Sequence, residues 1–130
     1  MSDFDPDGPG SAEDGLFGVP ADPRTAAVVV IPVPLEATTS FRRGTRDGPA
    51  AVLEASVQLD LADLETGEPW RQGIAMLPIP EAVRAWEAQA EPDALAVIDA
   101  GGPISPALEA AAARVNALSE QVNGWVYQRA

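Results

Sequence analysis

The sequence predicts an α/β fold with a mostly parallel sheet, the N-terminal part of a three-layer αβα arrangement left incomplete in this chain. Three observations predict it. Two short apolar runs without polar alternation, 26–35 and 73–80, read as strands covered on both faces, as in a parallel sheet. Helical patterns follow each run, giving the order strand, loop, helix, strand, helix. The last predicted helix is followed by nothing, although such an order calls for a further parallel strand.

Taken in order, residues 1–24, "MSDFDPDGPGSAEDGLFGVPADPR", are rich in Asp, Pro and Gly. They offer too little apolar surface to offset the entropy of ordering and read as a flexible acidic arm. Leu16 and Phe17 are its one apolar spot, able to dock on a neighbouring surface. Residues 25–130 form the predicted α/β portion. In "AAVVVIPVPL" (26–35), Pro32 and Pro34 each remove a ladder donor, so pairing should stop there on one side or the strand should lie near an edge. Gly48-Pro49 then opens a helix to about Gln58, since proline is tolerated where a helical N–H has no partner, and Asp47 is a plausible cap. Val52, Ala55, Ser56 and Leu59 share one side of it.

"DLADLETGEPW" (60–70) reads as an extended excursion turning at Thr66-Gly67, and 73–80 as the second strand. A short helix follows from about Glu81 to Ala90, with Val83 and Trp86 as anchors, and 99–103 is a turn. Trp70 and Trp86 are both read as core residues. Ser105 caps and Pro106 starts a final helix reaching Gln128. Leu108, Ala111, Val115, Leu118, Val122 and Trp125 recur at spacings of three and four, a continuous apolar stripe expected to pack on the protein's own sheet.

Composition removes several functions. The 130 residues carry 20 Asp and Glu against 8 basic residues, all Arg, for a net charge of −12. Nucleic-acid partners need clustered cations, so none is expected. No cysteine is present for disulfides or thiolate metal sites, and no histidine for an imidazole base, a Ser/His/Asp triad or the commonest metal ligand. No apolar run approaches membrane-spanning length and no signal peptide is visible, so a cytoplasmic location is the default and no membrane partner is expected.

One stretch carries a motif. "VIPVPLEATTSFRRGTRDGPAAVLEAS", Val30 to Ser56, resembles the N-terminal signature of the ureohydrolases, the arginase and agmatinase family. There, a first strand ends in a Gly-or-Ile-x-Pro-x stretch, and a Thr/Ser-x-x-x-Gly-x-x-x-Gly-Pro loop leads into a helix ending in Ala-Ser. The matching positions are Pro32, Ser40, Gly44, Gly48, Pro49, Ala55 and Ser56. The Ser-Phe-Arg-x-Gly wording of 40–44 is closer to agmatinases than to arginases. Gly44 and Gly48 allow backbone conformations with positive φ, and Pro49 fixes the helix entry. The resemblance implies an arginase-like fold, with the loop at a rim near subunit contacts. Arg42, Arg43 and Arg46 would then be structural or interface residues pairing with carboxylates of the same or a neighbouring chain. A solvated arginine loop without a role is the simpler alternative. An anion site at the helix start is disfavoured because the Lys-Ser/Thr ending of a P-loop is lacking.

The family resemblance implies hydrolysis of a guanidino group to urea and an amine by water bridging two manganese ions. Its ligand motifs are Gly-Gly-Asp-His, Asp-Ala-His-x-Asp and Ser-x-Asp-x-Asp-x-x-Asp-Pro, of which the first two need histidine. "DAGG" (99–102) has Gly101 where a ligand should stand, and "DFDPD" (3–7) echoes the aspartate motif from the wrong end of the chain. No catalytic or metal-ligating residue is therefore assigned, and these 130 residues alone are expected to be inactive. The expected role is that of the N-terminal segment of an agmatinase-like enzyme, homo-oligomeric when complete, whose partner is its missing C-terminal portion or a second polypeptide. A non-catalytic assembly module, one half of a split enzyme and an unrelated small acidic α/β domain are the alternatives.

Overall fold

The computed structural model describes residues 4–130. The chain divides into two compact units, Met1–Pro32 with Pro49–Pro78 and Val33–Gly48 with Ile79–Ala130.

The first unit holds a two-stranded parallel sheet of β1 (Val28–Val30) and β2 (Ile74–Met76), with Val28 opposite Ile74 and Val30 opposite Met76. The ladder ends where the sequence said it should, just before Pro32. The expected burial is a different matter. Val28, Val29 and Val30 are 52%, 38% and 36% exposed, so both faces of β1 are uncovered, whereas Ala75 in β2 is buried. A run of β-branched residues reports that a strand suits a covered position, but it does not itself supply the cover.

Helix α1 (Gly48–Ser56) is two residues shorter than expected, and Val52 and Leu59 lie exposed. Ser56 is the buried member of that side. Its Oγ donates to the Leu53 carbonyl at 2.7 Å and accepts from the Phe17 N–H at 2.9 Å. The segment read as an arm, whose first three residues lie outside the described residues, buries only Leu16, Gly18 and Val19. Leu16 and Val19 are buried, short 3-10 turns span Ala12–Asp14 and Leu16–Gly18, and Phe4 meets Trp70 edge-on at 5.3 Å. Trp70 itself is half-buried. The 60–70 excursion closes as a tight turn in which Asp63 Oδ1 accepts from the N–H groups of Glu65 and Thr66, and Asp63 and Gly67 pair across it.

The second unit is built on two helices. Helix α2 runs from Glu81 to Asp99, nine residues beyond the expected end, and carries Pro92 inside it. Pro92 is exposed, as is Ala88, whose carbonyl loses its partner. The break in the ladder therefore falls on the wet side, where water replaces the missing bond. The buried stripe Val83, Glu87, Ala90, Ala94 continues unbroken, and Trp86 beside it is half-buried. The helix ends in a Schellman motif, with Gly102 N–H to Val97 O and Gly101 N–H to Ile98 O, both 2.9 Å. Gly101 takes φ 75° there, a conformation that favours glycine.

Helix α3 (Pro106–Tyr127) matches its sequence pattern, and Ser105 Oγ caps it by accepting the Leu108 N–H at 3.3 Å. Ala111, Val115 and Val122 are buried, with Leu108, Leu118 and Trp125 half-buried along the same stripe. The stripe packs on α2 rather than on a sheet, in a core of Ala37, Ala90, Ala94, Val115 and Leu118. Small residues on α2 allow the two helices to approach closely. Arg114 adds a two-pronged pair to Asp93, with both contacts at 2.7 Å. Among the described residues no helix is long and apolar enough to cross a membrane.

Candidate functional site

The arginine loop is organised from its start. Pro34 is fully buried and anchors the chain. Two residues later Glu36, 4% exposed, turns its carboxylate inward. Its Oε2 accepts from the Gly44 N–H at 2.6 Å and the Arg46 N–H at 3.2 Å, while Oε1 accepts from Arg46 Nε at 2.8 Å and Arg43 Nε at 3.3 Å. One side chain thus gathers four donors from residues 43–46. Gly44 stands at φ 123°, strained for any side chain, and this lets its N–H point back to Glu36.

Helix α2 supplies the other wall. Glu87, 2% exposed, accepts the Glu36 N–H at 3.0 Å and the Ala37 N–H at 2.9 Å on Oε2. Its other oxygen, Oε1, has no hydrogen-bond partner and lies 3.6 Å from Arg46 Nη1. One turn on, Glu91 pairs with Arg46 Nη2 at 2.6 Å and with Arg43 Nη2. Three carboxylates and two guanidinium groups therefore share one network.

Burial opposes ionisation of Glu36, but the Gly44 N–H, the Arg46 side chain and the Arg46 N–H outweigh it and hold the carboxyl at about 2. Arg46 beside it also keeps Glu91 below the usual carboxylate range, and Arg46 in turn is raised by Glu91 and Glu36. Glu36, Glu91 and Arg46 keep their charges at neutral pH, and among the three carboxylates every oxygen except Glu87 Oε1 meets a named donor. Such an arrangement fixes a loop. Its one oxygen without a hydrogen bond, Glu87 Oε1, is buried and faces Arg46.

The residues singled out in the sequence separate. Arg43 and Arg46 join the network, and Gly44 shapes it. Arg42 lies 5.7 Å over the ring of Phe41, which is 82% exposed, and Ser40 is exposed. Gly48 is helical at φ −50°, so the positive φ open to it is not used, and Pro49 is the second residue of α1. Glu36, Glu87 and Glu91 were missed. The i,i+4 spacing of Glu87 and Glu91 was the available signal, but nothing local tied them to a loop some 45 residues earlier.

Two manganese ions require a cluster of carboxylate and imidazole donors. The only carboxylates gathered at this site are already held by Arg43, Arg46 and backbone N–H groups. Among the described residues no group of three or more His, Cys, Asp or Glu could hold a metal ion. Residues 99–102 close a helix instead, and Asp3 of the 3–7 echo lies outside the described residues. The residues present do not fit the metal pair.

The model of the arginase family matches residues 26–123. Over 42 residues the sequence is 64% identical to the N(1)-aminopropylagmatine ureohydrolase of Synechocystis sp.. That stretch is 32% of this chain and 14% of the relative, so the chain spans only a small part of the relative's length. No solved structure matches.

Proposed function

The chain belongs to the arginase family, and from this we propose that it forms the N-terminal scaffold of an agmatinase-like ureohydrolase. The complete enzyme hydrolyses a guanidino group, adding water across the C–N bond so that urea and a primary amine leave. The single observation that carries the reading is the family match over 26–123, three quarters of the chain. The ureohydrolase name of the Synechocystis relative supports the same reaction class.

Within that enzyme this segment supplies shape. The network of Glu36, Arg43, Arg46, Glu87 and Glu91 holds the signature loop rigid, and the metal-bound water belongs to polypeptide carrying the histidine motifs. Manganese as the metal and a homo-oligomeric assembly are parts of the same proposal, drawn from the family resemblance, and a cytoplasmic location is proposed with them. The uncovered valines of β1 favour a second reading as well, in which the chain is the assembly half of a split enzyme.

Purified chain with manganese and agmatine is expected to release no urea above a protein-free control. Supplied with a polypeptide carrying the ligand motifs of a family ureohydrolase, it is expected to release urea. Turnover by the chain alone, or none by the pair, would sink the proposal.

A further inference from the structure

We draw no further inference here: the strongest candidate, the cavity of about 350 Å³ that Pro34, Arg46, Asp47, Arg84, Glu87 and Ala88 line beside helix α2, belongs to the site already described, its buried unpartnered oxygen, Glu87 Oε1, lying 3.6 Å from Arg46 Nη1, and nothing in the structure shows what would occupy it.

Discussion

The two units solve the same problem in opposite ways. In the unit built on α2 and α3, the apolar stripes face each other, and the charges at its loop are paired within it. Val83, Ala94 and Val122 are sealed, and Glu36 and Glu87 have most of their lone pairs filled by named donors. In the unit built on β1 and β2, three consecutive valines remain exposed on both faces of a strand. The helical unit satisfies its own sequence pattern, while the sheet unit carries a pattern written for cover it does not possess. Helical amphipathicity can be met by one partner helix, but a parallel strand needs neighbours at its edges and layers over both faces.

Substitution should expose this contrast most strongly at Glu87. Replacing it by alanine strands the buried N–H groups of Glu36 and Ala37 and removes a carboxylate facing Arg46. A loss of about 3 kcal/mol is expected from denaturant unfolding followed by helical circular dichroism. The matching change in the other unit, Val28→Thr, keeps the β-branched shape at an exposed position and should stay within about 0.5 kcal/mol. Equal losses at the two positions would erase the distinction between a closed unit and an open one.

The same contrast explains what could be read beforehand. Helix α3 was legible from end to end because its determinants are local: Ser105 caps, Pro106 starts, and the stripe has one period. What covers that stripe was not, since α2 and a sheet make the same demand on it. The valines of β1 were read as a strand correctly and as buried wrongly, because burial depends on residues remote in the chain. The stretch of α2 beyond Ala90 was missed for a related reason, because it runs through Pro92. Its cost depends on whether the abandoned Ala88 carbonyl faces water, which no local pattern records. In the loop, the arginines and Gly44 stood out by type and spacing, but their partners Glu87 and Glu91 come from another element. The positive φ of Gly44 could be anticipated from its type and place, whereas the helical conformation of Gly48 emerged only with the backbone.

Acid provides a gentler way to probe the closed unit. The carboxyl of Glu36 sits at about 2 in the folded chain against an ordinary 4.5. A depressed folded value means that its contribution is complete above pH 4.5 and is lost as the pH falls toward 2. Glu91, also lowered, shifts the same way. The amide proton of Gly44, which donates to Glu36, should therefore titrate in an NMR experiment with a midpoint near 2. A midpoint at the ordinary glutamate value would show that the loop donors do not hold this carboxylate. Glu36→Gln should abolish the transition at Gly44 while leaving the β1–β2 ladder amides unaffected.

The smallest effects separate the two glycines of the signature loop. Alanine at Gly44 meets no heavy atom within 4 Å, so its cost is purely conformational. At φ 123° that cost should be about 1 kcal/mol or somewhat more. Gly48 also has open space around it, but it is already helical, at φ −50° and ψ −48°. There alanine restricts the unfolded chain without straining the folded one, and a gain of about 0.5 kcal/mol is expected. Opposite signs in paired denaturation curves would establish that Gly44 is required by the backbone that presents its N–H to Glu36. They would also establish that Gly48, for all its place in the motif, imposes no such requirement on this fold. A loss at both positions would mean that the helix entry carries strain of its own.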